Sequence, residues 1–292
     1  MIGAMIAGGL GNQMFQYAAA RSLALRHGTD LVLDLSPFRQ AGHFRTQRPF
    51  ELGKLAIEFR SSSVFSPLSF LLARRPSAAL QAISGWKTVR ERSLAFDARF
   101  STLPDRSYLM GYWQSWRYFD QAAERIWSEL QPRAPWSEAS LRVRDQMLSA
   151  PSLSLHVRRG DYVTSASAEG FHGVLGLEYY TAAVRHVQRR AEGLRAFVFS
   201  DDLEWCRQAF EPLGLDLTFV DCNRGGDPWQ DLFLMAASRH NIIANSSFSW
   251  WGGWMGDHGS PTADRVVIAP RRWFAGADVP IEDRCPPSWR LL

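Results

Sequence analysis

The sequence has few of the features that mark secreted or membrane proteins. It contains 3 cysteines, and Cys206, Cys222 and Cys285 are too widely spaced for a metal-binding set. Their odd number argues against a disulfide framework and predicts a reducing compartment. No apolar run approaches the ~20 residues that span a bilayer. The apolar start lacks a basic flank, so we predict no signal peptide and expect a cytoplasmic protein.

Lysine is nearly absent, since only Lys54 and Lys87 occur among 33 basic residues. These stand against 29 acidic residues and give a net charge of +4. No run of basic residues exceeds two, so the charge pattern of a DNA- or RNA-binding protein is missing. The chain is 46% apolar and 21% charged, as in a globular protein. At 292 residues, one hydrophobic core usually gives way to two, which predicts two domains.

Short apolar runs alternate with helical patterns along much of the chain. An apolar run over residues 2–7, a glycine turn, a helical pattern over 12–27 and a second run over 31–35 predict a β-α-β start. From residue 153 to 269 the same alternation predicts a parallel sheet with right-handed crossovers. The sequence therefore predicts an α/β fold with Rossmann-like domains. Between about 38 and 150 the pattern defines no elements.

Two adjacent arginines follow one of the predicted strands. Arg158 and Arg159 come after the apolar run 153–157, with His156 before them and Asp161 after them. Guanidinium groups pair with phosphate oxygens and keep their proton, and ligands of open α/β sheets bind beyond the carboxyl ends of strands. An Arg-Arg pair usually belongs to a solvated salt-bridge surface. The neighbouring histidine and aspartate favour an anion-binding site here.

A glycine-rich turn connects the first predicted strand to the first helix. Gly8, Gly9 and Gly11 form either a plain structural turn or a loop whose N–H groups approach a phosphate. In the second case Asn12 is the helix N-cap or a direct donor. The dinucleotide fingerprint of oxidoreductases needs a further glycine at position 14, where Met14 stands. A nicotinamide-dependent oxidoreductase is therefore disfavoured.

A third motif, over residues 245–248, follows a short buried strand and precedes a helix. Its two serines either cap that helix or, with its N–H groups, enclose an anion. The tryptophans at 250, 251 and 254 come next. Trp250 and Trp254 are four residues apart and so share one helix face. We predict core packing for these tryptophans rather than a platform for stacking sugars.

Together the three motifs make the chain resemble the bacterial α-1,2-fucosyltransferases, glycosyltransferases that use GDP-fucose. The likeness also covers residues 111–115, 172–173, 179–180 and 200–202, so it spans nearly the whole length. It implies the GT-B fold, in which two Rossmann-like domains face each other and the active site lies in the cleft. We therefore expect an acceptor-side domain over 1–150 and a GDP-fucose-binding domain over 151–292.

The resemblance also implies which residues bind the donor. Similar fucosyltransferases place the glycine loop beside the pyrophosphate. Asp201 and Asp202 either accept hydrogen bonds from guanine or ribose, as the resemblance suggests, or cap the next helix. The full set expected at the donor comprises Gly9, Gly11, Asn12, His156, Arg158, Arg159, Asp201, Asp202, Asn245, Ser246, Ser247 and Phe248.

The implied reaction is an inverting displacement, in which the 2-hydroxyl of a terminal galactose attacks fucose and GDP leaves. We expect Arg158 to stabilise the charge that develops on the leaving phosphate. The chain has no Asp-x-Asp pair, so no metal is expected. Asp161 either accepts the proton or forms a salt bridge that orients Arg159. Glu169 and His172 are further catalytic candidates, because related α-1,6 enzymes use a glutamate in this neighbourhood.

Two alternatives share these motifs. One is a fucosyltransferase of the same fold with another linkage, such as α-1,6, and the other is a non-catalytic module that binds a glycan or nucleotide. A binding module would not need cations directed at a leaving group, which favours a transferase. The expected partners are GDP-fucose and a galactose-terminated oligosaccharide or lipid-linked glycan, not nucleic acid. Residues 67–75 either touch an anionic membrane that carries such a glycan or form a buried helical turn.

Overall fold

The computed structural model describes residues 1–38, 48–61, 72, 74, 77–160, 173–259, 262–275 and 281–292. The chain divides into two compact units, unit 1 over Met1–Ala134 and unit 2 over Pro135–Leu292. The sequence pattern predicts this division at residue 150. The difference is one helix, Glu138–Leu148, which packs against the helix Pro228–Ala237 of unit 2. The predicted membrane-contact stretch 67–75 lies outside the described residues, apart from positions 72 and 74.

Unit 1 is built on a five-stranded parallel sheet with the order β3-β2-β1-β5-β4. The strands are β1 (Ile2–Met5), β2 (Leu31–Asp34), β3 (Arg60–Ser61), β4 (Lys87–Arg90) and β5 (Ser107–Met110). Its described helices are α1 (Leu10–Arg26), α2 (Ala78–Ser84) and α3 (Ala123–Glu129). The central strand β1 is apolar and almost fully buried, as a strand covered on both faces must be. The predicted β-α-β start is confirmed.

Buried charges connect α1 to α3. The Nη2 atom of Arg21 is 2.6 Å from Oε1 of Glu129. The hydroxyl of Tyr17 donates a hydrogen bond to Oε2 of the same carboxylate at 2.6 Å. Burial alone would raise the pKa of Glu129, but the hydrogen bonds from Arg21 and Tyr17 outweigh it and lower that pKa. The carboxylate therefore stays ionised inside the protein, as a paired buried charge can.

Unit 2 is built on a six-stranded parallel sheet with the order β11-β10-β9-β6-β7-β8. The strands are β6 (Ser152–Val157), β7 (Arg195–Ser200), β8 (Asp216–Val220), β9 (His240–Ile242), β10 (Val267–Ala269) and β11 (Arg290–Leu291). The helices are α4 (Glu138–Leu148), α5 (Leu177–Gln188), α6 (Leu203–Phe210), α7 (Pro228–Ala237) and α8 (Ser247–Gly259). The alternation predicted from residue 153 to 269 is confirmed, and β11 was not predicted.

The strand order of unit 2 fixes where a ligand can bind. Counted from β6, the order reads 6-5-4-1-2-3, which is the doubly wound Rossmann arrangement. The strand β6 pairs with β7 on one side and with β9 on the other. Ligands of such sheets bind beyond the carboxyl ends of the strands where the order reverses, which here is between β6 and β9. The residues that follow these two strands carry two of the three predicted motifs.

The tryptophan-rich helix α8 belongs to the core of unit 2. Trp250 and Trp251 are fully buried, and the rings of Trp250 and Trp254 stack at a centroid distance of 6.3 Å. A Cβ at Gly252 would lie 2.9 Å from the Cβ of Met235, so α8 lies very close to α7. The prediction of core packing for the tryptophans is confirmed.

No helix in the described part of the chain is both apolar enough and long enough to cross a membrane.

Candidate active site

Arg158 and Asp201 form an ion pair just beyond the ends of β6 and β7. Val157 pairs with Ser200 in the strand ladder, so the residues that follow them, Arg158 and Asp201, lie beside each other. The Nη1 atom of Arg158 is 3.0 Å from Oδ2 of Asp201, and the two side chains are 26% and 24% exposed. Oδ1 of Asp201 accepts the backbone N–H of Arg159 at 2.9 Å. The carboxylate thus orients the guanidinium and holds the backbone beside it.

Gly160 packs against the same carboxylate. A Cβ at this position would lie 2.9 Å from Oδ2 and 3.1 Å from Cγ of Asp201. A side chain here would therefore push Asp201 away from Arg158. The close approach gives a physical reason for glycine directly after the two arginines.

Arg159 has different partners from Arg158. Its Nε is 3.4 Å from Oδ2 of Asp202, and its guanidinium carbon lies 4.1 Å from the ring centroid of Trp205. Oδ1 of Asp202 accepts the backbone N–H of Trp205 at 3.1 Å, so Asp202 is the N-cap of α6. Arg159 is held flat against α6 by charge and by a cation–π contact.

His156 is buried beside the start of α8. Its ring centroid lies 5.9 Å from that of Phe248, and the residue is only 6% exposed. Within the described residues, Nδ1 of His156 has no hydrogen-bond partner. Burial lowers the pKa of His156 to about 4, Asp201 opposes the shift and Arg158 adds to it. The imidazole is therefore neutral at neutral pH, and Arg158 supplies the positive charge.

The third motif sets the start of α8. Asn245 is buried and donates from Nδ2 to the backbone oxygens of Gly173 at 3.1 Å and Trp273 at 3.2 Å. Ser246 Oγ accepts the N–H of Phe248 at 3.3 Å, which is N-cap geometry, and its own N–H donates to Ala244 O at 2.8 Å. The predicted helix 250–255 thus begins earlier, at Ser247, because Ser246 caps it. Ser246 therefore fixes this helix end.

The glycine loop of unit 1 positions the start of α1. Gly8 has a left-handed φ of 83°, and Gly9 is the N-cap, so the helix begins at Leu10. Asn12 lies inside the first turn, and its predicted role as N-cap is wrong. Its Oδ1 instead accepts Nε2 of Gln114 at 2.6 Å. Gly8 adopts a left-handed backbone conformation that residues with a side chain rarely adopt. This conformation lets the helix begin at Leu10, two residues before the predicted start at residue 12.

Two buried glutamines of α1, which are not among the predicted site residues, hold this loop. Gln16 accepts the Ala7 N–H at 2.9 Å and donates to Gly111 O at 3.1 Å. Gln13 donates to Gly8 O at 2.8 Å and accepts the Glu51 N–H at 2.9 Å. The sequence indicates such a role by two amide side chains on an otherwise apolar helix face. Buried polar groups need hydrogen-bond partners, so amides at such positions can be expected to bind other segments.

Residues 85–280 match the profile of glycosyl transferase family 11. The chain belongs to this family, the α-1,2-fucosyltransferase family, and is an enzyme of that class. It is 32% identical to an α-1,2-colitosyltransferase of Escherichia coli over 98% of this chain and 97% of the relative. It is 25% identical to galactoside α-(1,2)-fucosyltransferase 1 of Ateles belzebuth over 85% of this chain and 63% of the relative.

The fold is similar to that of a solved fucosyltransferase. The structure of NodZ α-1,6-fucosyltransferase soaked with GDP-fucose superposes with a TM-score of 0.51 at 18% identity. The match covers 87% of this chain and 92% of NodZ. Together with the two parallel sheets, this likeness confirms the predicted GT-B class of fold.

The environment of Asp34 counts against dinucleotide binding by the first Rossmann-like unit. In dinucleotide-binding folds an acidic residue after the second strand binds a ribose. Asp34 ends β2 but is 2% exposed. Its carboxylate accepts Tyr108 Oη at 2.5 Å, Ser36 Oγ at 2.6 Å and Arg74 Nη2 at 2.6 Å. These contacts and Met14 both count against a nicotinamide-dependent oxidoreductase.

Three catalytic candidates, Asp161, Glu169 and His172, lie outside the described residues. In the described ranges, no group of three or more His, Cys, Asp and Glu side chains is arranged to hold a metal ion.

Proposed function

We propose that this enzyme transfers L-fucose from GDP-fucose to the 2-hydroxyl of a terminal β-linked galactose, with inversion and without a metal ion. One observation carries the proposal. Arg158, oriented by Asp201 at 3.0 Å, follows β6 at the point where the strand order of unit 2 reverses. The start of α8 lies at the same point, since Phe248 contacts His156. A fixed cation and a helix N-terminus are both suited to bind a diphosphate.

In this reaction Arg158 stabilises the leaving GDP. Negative charge grows on the β-phosphate oxygen as the bond to fucose breaks, and a preoriented guanidinium needs no rearrangement to meet it. The ion pair with Asp201 supplies that orientation. The N-terminus of α8 adds its partial positive charge. Because Ser246 donates its N–H to Ala244, the helix end contributes more through its dipole than through that amide.

Among the catalytic candidates outside the described residues, Asp161 is our proposed general base. Asp202 and Trp205 contact Arg159, which supports a role for Asp161 other than orienting this arginine. Asp161→Asn should therefore lower kcat by roughly two to four orders of magnitude and leave GDP affinity near wild type. Calorimetric titration of GDP into both proteins measures this. A variant that loses GDP affinity along with turnover would assign the orienting role, and Glu169 and His172 would become the next candidates.

We propose that unit 2 binds GDP-fucose and that unit 1, with Gly9, Gly11 and Asn12 beside the pyrophosphate, serves the acceptor. The acceptor is an oligosaccharide or a lipid-linked glycan of a surface polysaccharide. A cytoplasmic location with contact to the inner face of the membrane stays a prediction.

Colitose is a second candidate for the transferred sugar, because a colitosyltransferase is similar over 98% of this chain. Colitose is fucose without the 3-hydroxyl group. A site that hydrogen-bonds this hydroxyl rejects the deoxy sugar strongly, whereas a site that leaves it alone does not discriminate. The ratio of kcat/KM for GDP-fucose and GDP-colitose decides between them.

The decisive experiment is incubation with GDP-fucose and a panel of β-galactosides. We expect GDP release that depends on the acceptor, and a product whose mass and methylation pattern show fucose on the galactose 2-hydroxyl. Arg158→Ala serves as the inactive control. The absence of acceptor-dependent GDP release with either donor, or a product linked at another hydroxyl, would contradict the proposal.

A further inference from the structure

Unit 1 contains a pocket of about 230 Å³ beyond the carboxyl ends of β4 and β5. Glu91 and Arg92, which follow β4 directly, form one side. Trp113, which follows β5, forms another. The volume lies below the roughly 300–1,000 Å³ of pockets for drug-sized ligands, so it suits one ring rather than a nucleotide.

The backbone at Trp113, on one side of the pocket, has an unusual conformation. Trp113 has a left-handed φ of 55°, which a bulky side chain rarely adopts. The Glu91 carboxylate accepts the backbone N–H groups of Tyr112 at 2.7 Å and Trp113 at 3.0 Å. A Cβ at Gly111 would lie 2.4 Å from the Cβ of Glu91, so the backbone approaches this residue closely. Strain of this kind persists where the surroundings hold a functional loop in place.

The lining is mainly polar, because the rings of Trp113 and Tyr118 are almost fully buried. Tyr118 lies at ring-centroid distances of 4.9 Å from Phe96 and 5.4 Å from Trp113, and all three line the pocket. Asp97 and Arg99 are paired with each other at 2.5 Å. Arg92 is exposed, lines the pocket, and interacts electrostatically with Asp97, whose pKa is lowered mainly by the hydrogen bond from Arg99 and further by Arg92. A guanidinium carries five N–H donors, so Arg92 can also donate to a ligand in the pocket.

The pocket shares a segment with the glycine loop. Gln114 follows Trp113 directly, and its Nε2 donates to Oδ1 of Asn12 at 2.6 Å. Gln16 connects the same segment to the start of the loop through Gly111 and Ala7. A ligand that fixes Trp113 therefore also fixes the backbone that supports Asn12.

We propose that this pocket is a subsite for one uncharged pyranose ring of the acceptor glycan. Polar groups of the lining, Arg92 among them, hydrogen-bond to the ring hydroxyls, and the half-buried Phe96 contacts the apolar face of the sugar. The inference rests on the proposed function, since it concerns the acceptor of that reaction. It adds which part of unit 1 recognises the acceptor and which residues select it.

The test fills the pocket without removing a hydrogen bond. Ala98 is exposed and lines the pocket, so Ala98→Trp places a large ring in it. Ala82→Trp is the matched control, because Ala82 is exposed on α2 and does not line the pocket. With lactose as acceptor, we expect Ala98→Trp to raise the acceptor KM by about tenfold or more, the usual effect of a steric change in a specificity pocket. The Kd for GDP and the values for Ala82→Trp should match wild type.

Saturation-transfer NMR with methyl β-D-galactopyranoside and with lactose measures binding without catalysis. We expect transfer to at least one of these sugars in wild type and in Ala82→Trp, and its loss in Ala98→Trp. Equal transfer in all three proteins, or no binding to wild type, overturns the subsite. Sugar binding that depends on the pocket, in a protein that releases no GDP from GDP-fucose, would overturn the proposed function and leave the subsite standing.

Discussion

The ion pair between Arg158 and Asp201 gives the sharpest prediction, because the two residues should act as one unit in catalysis. Three variants test this: Arg158→Ala, Asp201→Asn and the double substitution. In the first, the leaving phosphate loses its cation. In the second, asparagine keeps the shape of aspartate and can still accept the Arg159 N–H, but the guanidinium of Arg158 loses its charged partner.

The magnitudes follow from exposure and geometry. Both side chains are about one-quarter exposed, at 26% and 24%, so water screens the pair and it stabilises the fold by only about 0–1 kcal/mol. Removal of one preoriented donor to a developing oxyanion typically raises the barrier by about 3 kcal/mol, or a hundredfold or more in kcat. For Asp201→Asn we expect about tenfold, which corresponds to about 1.4 kcal/mol for lost orientation. The double variant should be no slower than Arg158→Ala.

The assay is acceptor-dependent GDP release at saturating GDP-fucose, combined with thermal unfolding to show that each variant is folded. Arg158→Lys serves as a further control and should recover little activity, since an ammonium cannot bind two phosphate oxygens in parallel. Near-normal transfer by Arg158→Ala would show that this residue does not stabilise the leaving group. A double variant whose loss is the product of the two single losses would show that Asp201 acts independently of Arg158.

Three further predictions concern Gly160, His156 and the requirement for a metal ion. Gly160→Ala should lower kcat by about tenfold, because its Cβ displaces Asp201 from Arg158; an unchanged kcat, measured by GDP release, would show that the loop absorbs the methyl group. The folded-state pKa of His156 is about 4, below its value in the unfolded chain. The unfolded state therefore gains protons first as pH falls, and His156 by itself should lower the free energy of unfolding by about 3 kcal/mol between roughly pH 6.5 and 4. Denaturant titrations across this range should show a shallower drop for His156→Gln, and parallel curves would contradict the assignment. Activity should survive dialysis against EDTA, and an enzyme that is inactive in EDTA and restored by Mn²⁺ would show that a metal is required.

Local sequence patterns determined most of the secondary structure of this protein. The strands and helices from residue 153 to 269 were predictable, because apolar periodicity and capping residues act within a few positions along the chain. The packing of Trp250 and Trp254 was predictable for the same reason. β11 spans only two residues, Arg290 and Leu291, and is too short to carry a period. The start of α1 was misplaced because it depends on the left-handed backbone of Gly8.

Contacts between distant segments were decided only by the tertiary structure. The sequence placed Arg158 and Arg159 at a strand end but could not say that Asp201 would orient one and Asp202 the other. That assignment follows from the register of β6 against β7, in which Val157 pairs with Ser200. Likewise, the contact of His156 with Phe248 exists because β9 returns to lie beside β6. Strand order and register depend on how whole sheets pack, and no short segment of sequence contains that information.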